Sequence, residues 1–367
     1  MKIFNPGEII LNTYEVIELI NSGGMGNVYK VRHLKIPKIF AIKQLKFENY
    51  RDLFIESFIS EISILKSMRH PNVSKFYDSF YFNNNFFYVM EFIEGKDIRS
   101  YFEDDINQEK LIKYFLMSVN AIDYLHSRSI IHRDIKPSNI LVDITNDMVK
   151  VIDFGISNFL KRGVIFVSPG YSPPEQYQIL PPHPSNDIFS LGITFLEIIS
   201  RIKPYNQESY FDYESYKKYI NECFDVSKGK VDEEILKVIL KCAEVDNYKR
   251  FQSTYEIISY LSTLKIDIDF SYVLEFNEWV SKIEKIFDKI ENEIKQAHSF
   301  VEYEIQRSID IMSIRFFDTL EFSLFFIVEN DYLNIYRVPI LGKPILIETL
   351  QIFDFEESKI KEIFENL

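Results

Sequence analysis

The sequence has few of the features that mark extracellular or membrane proteins. It contains only 2 cysteines among 367 residues, Cys223 and Cys242, which are too few for a disulfide framework. No apolar run reaches about 18 residues, the length that a membrane-spanning helix needs. The opening sequence MKIFNPGEII lacks the long apolar core of a signal peptide. These absences predict a soluble protein of the reducing cytoplasm, with no membrane partner.

Positive charge is also scarce, mainly at the carboxyl end. Lysine and arginine number 42 against 55 aspartates and glutamates, for a net charge of −13. Residues 266–367 carry −11 of this charge, and residues 1–265 carry −2. An acidic segment repels phosphate, which argues against nucleic acid as a partner. Hydrophobic residues make up 46% of the chain, so its length suffices for two packed domains.

Glycine is scarce at 11 residues, yet Gly23, Gly24 and Gly26 lie within four positions. The stretch ELINSGGMGNVYKV, residues 18–31, predicts a strand, a glycine-rich turn and a second strand. Backbone amides in such a turn can approach phosphates because no side chain intervenes. A plain hairpin turn is the alternative. A P-loop is excluded, because no Gly-Lys-Ser/Thr follows.

Two charged residues downstream could form a pair. FAIK, residues 40–43, predicts an apolar strand that ends at Lys43, and a helical segment further on contains Glu61. A strand lysine that pairs with a helix glutamate can hold the α- and β-phosphates of a nucleotide. In isolation, each residue also fits a solvated surface charge.

The segment IIHRDIKPSNILV, residues 130–142, concentrates polar groups between two apolar runs. Asp134 could accept a hydroxyl proton, Lys136 could neutralise phosphate charge, and Asn139 could offer an amide oxygen to Mg²⁺. Asp153 follows 14 residues after Asn139 and supplies a carboxylate for a second metal contact. This compact combination predicts phosphoryl-transfer chemistry.

The order of these motifs resembles the eukaryotic-type (Hanks-type) Ser/Thr protein kinase family in its prokaryotic form, over about residues 10–265. The matching features are the glycine-rich segment with Val28, Lys43 after Ala41, Glu61, the loop HRDIKPSN, Asp153-Phe154-Gly155, Pro173-Pro174-Glu175, Asp187 in SNDIFSLG, and Arg250 in VDNYKRFQS. The resemblance implies that Asp187 ties down the catalytic loop and that Arg250 pairs with Glu175.

The resemblance also implies the architecture. We expect an α+β protein with a bilobal protein-kinase fold, in which a β-rich N-lobe spans about residues 10–90 and a helical C-lobe about residues 94–265. Residues 266–367 lie beyond the resemblance and predict a small α+β accessory domain with a long amphipathic helix.

By resemblance, the function is transfer of the γ-phosphate of ATP to protein serine or threonine hydroxyls, including autophosphorylation, with Mg²⁺ or alternatively Mn²⁺. Lys136 after Asp134 is typical of the Ser/Thr-directed members. A pseudokinase scaffold and a kinase-like small-molecule phosphotransferase are the alternatives. The joint presence of Lys43, Asp134, Asn139 and Asp153 argues against the scaffold.

The resemblance implies roles for individual residues. Asp134, Lys136, Lys43 and Glu61 are the catalytic set, and Asn139 and Asp153 are the metal ligands. The nucleotide-binding set comprises the glycines Gly23, Gly24 and Gly26 with Lys43 at the phosphates, Ile20, Val28, Ala41 and Leu141 around adenine, the gatekeeper Met90, the backbone of Glu91 and Ile93, and Asp97 at the ribose.

Two departures from the family pattern stand out. Asn21 replaces the first family glycine, and asparagine tolerates positive φ better than most residues. If Ser168 is the hydroxyl of the substrate-facing loop, the usual phosphoacceptor position falls on Val164, although Arg133 is present to receive a phosphate. We therefore expect basal activity without phosphorylation in the middle of this loop.

The carboxyl-terminal segment carries its own pattern. Apolar residues recur at helical spacing from Glu275 to Met312, which predicts an amphipathic helix. That face either packs within the chain or forms a homodimer. Two strands within 321–340 around Asn330-Asp331, a strand within 343–355 and a closing helix at 356–367 are expected to follow. Regulation or substrate docking is the expected role.

Overall fold

Strands dominate the amino-terminal part of the computed structural model. The residues that the structure describes are 2–23, 26–45, 68–83, 85–153, 167–178, 180–204, 213–264, 285–292, 303–307, 311–316, 322–329, 332–339 and 345–351. Six strands form one antiparallel sheet in the order β1-β2-β3-β4-β6-β5. They are β1 (Ile9–Ile10), β2 (Tyr14–Gly23), β3 (Gly26–His33), β4 (Ile39–Leu45), β5 (Phe76–Phe82) and β6 (Asn85–Glu91). Valine, isoleucine, phenylalanine and tyrosine recur in them because these side chains fit a pleated surface.

Alternate residues of this sheet face two separate apolar cores. Ala41 and Leu45 pack into the larger core, which continues into the helical part of the chain. Phe40 and Ile42 pack into a smaller core on the opposite side. Successive side chains of a strand point to opposite faces, so the two cores share one backbone. We call the side of Ala41 and Lys43 the front face and the opposite side the back face.

Helices dominate the second part of the chain. They are α1 (Ile98–Tyr101), α2 (Gln108–Ser127), α3 (Pro174–Tyr177), α4 (Pro184–Ser200), α5 (Tyr213–Ser227), α6 (Glu233–Cys242) and α7 (Thr254–Ser262). Helix α4 is buried along almost its whole length. His183 caps it, and Pro184 starts it with a φ that suits the first helical position. A helix that is buried on all sides belongs in a core, and α4 is the centre of this one.

A small three-stranded sheet lies beside these helices. Its strands are β7 (Gly95–Asp97), β8 (Ile140–Asp143) and β9 (Met148–Val151), and a 3₁₀ turn at Pro137–Asn139 precedes β8. Lys150 Nζ on β9 lies 2.9 Å from Glu91 Oε1 on β6 and is largely buried. This ion pair links the amino-terminal sheet to the small sheet at the connection between the two parts.

The carboxyl-terminal segment corrects one prediction. Residues 285–292 are helical, and a five-stranded antiparallel meander follows, with β10 (Tyr303–Arg307), β11 (Ile311–Phe316), β12 (Phe322–Glu329), β13 (Tyr332–Pro339) and β14 (Ile345–Gln351). The prediction of one long helix from Glu275 to Met312 is therefore wrong at its carboxyl-terminal end, where the chain forms β10 and the start of β11. Tyr303 and Ile305 also alternate with polar residues, and strand pairing uses that period of two.

Most of the other architectural predictions agree with the structure. The β-rich first lobe and the helical second lobe are confirmed. The hairpin around Asn330-Asp331 is confirmed by pairing of Glu329 with Tyr332. The predicted start of the domain near residue 10 leaves out Phe4, which is buried in the back-face core. The closing helix at 356–367 lies outside the described residues. Within the described ranges, no helix combines the length and apolar character needed to cross a membrane.

Arg250 and Glu175 form the predicted ion pair, with Arg250 Nη1 2.7 Å from Glu175 Oε1 and the arginine side chain fully buried. The same nitrogen donates to Ser185 O at 2.9 Å, and Nε donates to Glu244 O at 2.8 Å. Arg250 thereby joins α3, the start of α4 and the segment before α7.

We predict that Arg250→Ala lowers the free energy of unfolding by about 3–5 kcal/mol, because the Glu175 carboxylate loses its cation and three backbone carbonyls lose a donor. Urea denaturation measures this change. The control is Lys249→Ala, since that neighbour is exposed and should change stability by less than about 1 kcal/mol. Equal effects of the two substitutions would contradict the role of the buried pair.

Candidate active site

One buried carboxylate organises the loop that holds the predicted catalytic residues. Asp187, at the start of α4, is fully buried. Its Oδ2 accepts from the backbone N–H of His132 at 2.8 Å, and its Oδ1 accepts from that of Arg133 at 2.7 Å. His126 Nε2 of α2 lies 2.8 Å from Oδ2. Arg133 has a φ of 65°, a strained value for a residue with a side chain, and the two bonds hold it there.

Asp187 keeps its charge despite its burial. Burial alone would raise the pKa of this carboxyl, but the hydrogen bond and charge of His126 and the backbone amide of Arg133 outweigh it, so the pKa lies below its usual value. An ionised carboxylate makes stronger hydrogen bonds to amides than a neutral acid does. The loop is therefore held by charge-assisted bonds.

Three of the predicted polar side chains lie around Asp134. Lys136 Nζ lies 3.0 Å from both carboxylate oxygens of Asp134. Asn139 Nδ2 donates to Asp134 O at 2.8 Å and to Oδ2 at 3.0 Å. The hydroxyl of Ser168 donates to Asp134 Oδ1 at 2.5 Å and accepts from Lys136 Nζ at 2.9 Å. Asp134 therefore already accepts a proton donor of the type that a substrate hydroxyl presents.

Asp153 lies between two residues of the front face. Lys43 Nζ on β4 is 2.7 Å from Asp153 Oδ2, and the Tyr88 hydroxyl on β6 donates to Oδ1 at 2.9 Å. Burial would raise the pKa of Asp153, but the charge of Lys43 and the two hydrogen bonds lower it below the usual value. Burial raises the pKa of Tyr88 well above normal, so its phenol remains a donor.

The donor set fits a divalent cation shared with a phosphate group. Both hydrogen bonds of the Asn139 amide use its nitrogen, which leaves the amide oxygen as a ligand. The N–H of Ile152 donates to Asn139 O at 2.9 Å, so the residue before Asp153 is bonded to Asn139. No group of three histidine, cysteine, aspartate or glutamate side chains that could hold a metal occurs among the described residues. One amide and one carboxylate suit Mg²⁺, which binds few protein ligands and completes its shell with phosphate and water.

The predicted adenine-binding residues lie on adjacent strands. Ala41 pairs with Met90 across β4 and β6, and Val28 pairs with Lys43 across β3 and β4. Leu141 on β8 pairs with Asp97 on β7. Ile93, half-buried, lies in the segment between β6 and β7. The pairing thus places Val28, Ala41 and Met90 together on the front face of the amino-terminal sheet. Leu141 and Asp97 lie next to each other in the small sheet.

Three predicted residues have surroundings that the sequence did not indicate. Ile20 is 48% exposed on β2. Asp97 caps α1, where its Oδ1 accepts from the N–H groups of Arg99 and Ser100. The Glu91 side chain pairs with Lys150, and the Glu91 backbone N–H donates to Lys75 O at 2.9 Å.

A second charged cluster lies beside residues 167–172. Arg99 Nε is 2.6 Å from Glu197 Oε1, and Arg99 Nη2 donates to the Tyr171 hydroxyl at 2.7 Å. That hydroxyl donates to Glu197 Oε2 at 2.5 Å. Ser168 N donates to the Ser172 hydroxyl at 2.9 Å. These contacts hold residues 167–172 against α1 and α4.

Several predicted residues fall outside the described part of the chain. These are Gly24, Glu61, Phe154, Gly155 and Val164. The predicted pair of Lys43 with Glu61 and the prediction on mid-loop phosphorylation therefore stay predictions.

The hydrogen bond from Tyr88 to Asp153 was not predicted from the sequence. Tyr88 lies two residues before Met90, so both side chains point to the front face. It is also the one residue with a hydroxyl in the run Phe86-Phe87-Tyr88-Val89-Met90. A hydroxyl within an apolar strand on the same face as Lys43 was the available signal, because buried hydroxyls need a partner.

Comparison with known proteins identifies relatives of this chain. The family model of the protein kinase domain matches residues 14–260. A probable serine/threonine-protein kinase of Clostridium perfringens is 31% identical over 274 residues, which cover 71% of this chain and 39% of the relative. Serine/threonine-protein kinase PrkC of Bacillus subtilis is 29% identical over 268 residues, which cover 70% of this chain and 41% of the relative. The chain thus spans about two fifths of the length of these curated relatives.

Solved structures show the same fold at lower identity. The structure of Rad53 residues 1–466 with AMP-PNP superposes with a TM-score of 0.57 at 20% identity, covering 69% of this chain and 66% of that one. The kinase domain of Mycobacterium tuberculosis PknI superposes with a TM-score of 0.53 at 19% identity, covering 71% of this chain and 99% of that one. The bilobal architecture expected from the sequence is therefore shown.

We predict that Asp187→Asn speeds amide hydrogen exchange of His132 and Arg133 by about tenfold to a hundredfold. Asparagine has one acceptor oxygen and no charge, so at least one charge-assisted bond of about 1.5–3 kcal/mol is lost. Nuclear magnetic resonance measures the two amides. The control is Asp123→Asn on α2, whose carboxylate accepts from Thr254 instead. Unchanged exchange in Asp187→Asn would contradict the anchoring role.

Proposed function

This chain belongs to the protein kinase domain family, and we propose that it transfers the γ-phosphate of ATP to serine or threonine hydroxyls of proteins, itself included. The activity of the two bacterial relatives is given by their names as serine/threonine-protein kinases. The match covers about two fifths of each relative, and the residues of this chain support the same reaction here.

The observation that carries the proposal is the contact between Asp134 and a hydroxyl. Ser168 donates to Asp134 Oδ1 at 2.5 Å, so the carboxylate is accessible to an alcohol and oriented to accept its proton. Lys136, 2.9 Å from the same hydroxyl oxygen, supplies positive charge beside it. An alcohol in this position would lose its proton to Asp134 as its oxygen attacks the γ-phosphorus, the bond from that phosphorus to the bridging β-phosphate oxygen breaks, and ADP leaves.

The remaining polar residues would bind and orient the nucleotide. Lys43 on β4 provides a cation at the front face for the α- and β-phosphates, and it already holds Asp153 in place. The amide oxygen of Asn139 and the carboxylate of Asp153 would hold Mg²⁺. When bound, the metal offsets the negative charge of the phosphates. Mn²⁺, which also prefers oxygen ligands, is the alternative cation.

ATP is the proposed phosphate donor, with its adenine between Ala41 and Leu141 beside Met90. The backbone of Glu91 and Ile93 would bind the adenine edge, and Asp97 would reach the ribose. The Rad53 structure contains AMP-PNP, an ATP analogue, which supports an adenine nucleotide for this fold. The buried Ala41 and Met90 give the ring an apolar surface.

A protein is the proposed phosphate acceptor. Arg250 and Glu175 hold α3 against the core of the helical lobe, and Arg99, Glu197 and Tyr171 hold the loop that leads to it. These contacts build an ordered surface next to Asp134, beyond what a small alcohol needs. They favour a protein kinase over a small-molecule phosphotransferase.

Two further observations bear on the cellular compartment and on the homodimer. Cys223 and Cys242 are buried and unpaired, which supports the reducing cytoplasm. In residues 285–292, the side chains of Ile286, Phe287 and Ile290 are buried within the single chain. This burial favours packing of the helix inside the chain over a homodimer through that helix.

We predict that Asp134→Asn lowers phosphate transfer to myelin basic protein by at least about a hundredfold, because asparagine cannot accept the hydroxyl proton. Incubation with labelled ATP and Mg²⁺ measures the transfer. The control is Asp105→Asn, an exposed position whose substitution should leave the rate unchanged. Wild-type transfer in Asp134→Asn would contradict the mechanism, and no transfer by the wild-type chain with either cation would favour the pseudokinase scaffold.

We also predict that Tyr88→Phe raises the Mg²⁺ concentration for half-maximal transfer by about tenfold, because Asp153 loses the hydrogen bond from the Tyr88 hydroxyl. The buried ring is kept, so the melting temperature should change little. Equilibrium binding of Mg²⁺ and a fluorescent ATP analogue gives a second measurement that is independent of turnover. Tyr81→Phe, at an exposed tyrosine of β5, is the control. Equal Mg²⁺ dependence in both variants would contradict the role of Tyr88.

A further inference from the structure

The residues before β1 cover the back face of the amino-terminal sheet. Phe4 is 4% exposed, and its ring makes edge contacts with Tyr29 at 5.9 Å and Phe87 at 6.0 Å between centroids. Two backbone bonds fasten the segment to β2: Gly7 N donates to Val16 O at 2.8 Å, and Val16 N donates to Glu8 O at 2.9 Å. Residues 2–8 are therefore part of the packed lobe.

A buried polar network lies under this segment, and we call it the back-face network. It consists of Asn27 and Tyr29 on β3 and Gln44 on β4, which are at most 1% exposed. The Tyr29 hydroxyl donates to Gln44 Oε1 at 2.9 Å, and Asn27 Nδ2 donates to the Tyr29 hydroxyl oxygen at 3.1 Å. Buried polar groups that satisfy one another make a rigid unit.

The back-face network joins the amino-terminal segment to the glycine-rich hairpin. At one end, Gln44 Nε2 donates to Lys2 O at 3.1 Å, and Phe4 N donates to the Tyr29 hydroxyl at 3.3 Å. At the other end, the Ser22 hydroxyl donates to Asn27 Oδ1 at 2.8 Å. A continuous path of hydrogen bonds thus runs from residues 2–4 to the arm of the hairpin that precedes its tip.

The back-face network lies directly beside the glycine-rich hairpin, so it can set the position of the hairpin. Ser22 pairs with Asn27, and Gly23 pairs with Gly26. The network therefore contacts both strands of the hairpin, β2 and β3, next to its tip. Gly26 has a φ of 151°, and a Cβ there would lie 2.1 Å from Gln44 O, so β3 and β4 approach closely at this point. Gln44 also follows Lys43, which points to the front face.

We propose that residues 2–4 complete the nucleotide site from behind by setting the position of the glycine-rich hairpin through the back-face network. The inference rests on the proposed function, because it takes the hairpin to contact the phosphates of ATP. It extends that function to residues that precede the part of the chain matched by the family model, residues 14–260. Phe4 and Gln44 are positioning residues in this arrangement and do not touch the nucleotide.

The physical effect is a smaller set of hairpin conformations. Without the Phe4 ring, the Tyr29 side chain loses its cover, and the acceptor for Gln44 Nε2 is no longer held in place. The hairpin then samples positions that do not suit the phosphates, and nucleotide affinity falls in proportion to the fraction of competent hairpins. Once ATP is bound, the hairpin is ordered by its ligand, so the transfer step itself should change little.

The test compares Phe4→Ala and Gln44→Leu with Ile36→Ala. Ile36 belongs to the same back-face core but has no bond to the network, so its substitution lowers stability without loosening the hairpin. For each full-length protein, the dissociation constant of a fluorescent ATP analogue with Mg²⁺, the melting temperature and kcat at saturating ATP are measured. We expect about fivefold weaker binding for Phe4→Ala and Gln44→Leu, with kcat within about twofold of wild type. Ile36→Ala should lower the melting temperature with unchanged affinity.

Two further variants sharpen the comparison. Phe4→Leu keeps an apolar cover over Tyr29 and should restore most of the affinity. The double variant Phe4→Ala/Gln44→Leu should bind no more weakly than the weaker single variant, because both substitutions break one path. Affinity losses that multiply would contradict a shared path and overturn the inference.

The outcomes separate this inference from the proposed function. If the wild-type chain binds the analogue and the two network variants bind it equally well, the inference alone is overturned. If the wild-type chain does not bind the analogue in the presence of Mg²⁺, the proposed function fails and the inference fails with it. Weaker binding confined to the network variants supports both.

Discussion

The active arrangement depends on the bonds that Asp187 makes from the start of α4. This carboxylate is fully buried, yet it holds the backbone amides of His132 and Arg133 and faces His126. The positive φ of Arg133 turns the chain so that Asp134, Lys136 and Asn139 converge. Burial of a charge is unfavourable unless charge-assisted bonds offset it, and here those bonds also fix the loop that carries the proposed catalytic residues. The chemistry of the site is thus anchored in the core of the helical lobe.

The amino-terminal sheet serves two purposes because strand side chains alternate between its faces. Lys43 and Tyr88 point forward and meet Asp153, whereas Gln44 and Tyr29 point backward into a buried network. A change on the back face therefore moves the same backbone that carries the front-face groups. The segment before β1 gains a functional meaning from this geometry, since it covers the network on which the hairpin rests.

The sequence predicted the catalytic loop and both lobes because local motifs of fixed order specify them. Asp134, Lys136 and Asn139 lie within six residues, so one short motif contains all three. The contact of Lys43 with Asp153 was not predicted, because the family pattern pairs Lys43 with Glu61. The contact of Tyr88 with Asp153 joins residues 65 positions apart and has no motif. The long carboxyl-terminal helix was wrong because Ile305 fits both a period of 3.6 and a period of two, and strand pairing with β11 decides between them.

A crystal structure of the chain with AMP-PNP and Mg²⁺ would show directly whether these residues bind the nucleotide and the metal. The account predicts adenine between Ala41 and Leu141, phosphates under the glycine-rich hairpin, and a metal ion bound by the Asn139 amide oxygen and the Asp153 carboxylate. It also predicts that Asp187 keeps its bonds to the amides of His132 and Arg133. A nucleotide bound elsewhere, or a metal ion in contact with neither Asn139 nor Asp153, would contradict the account.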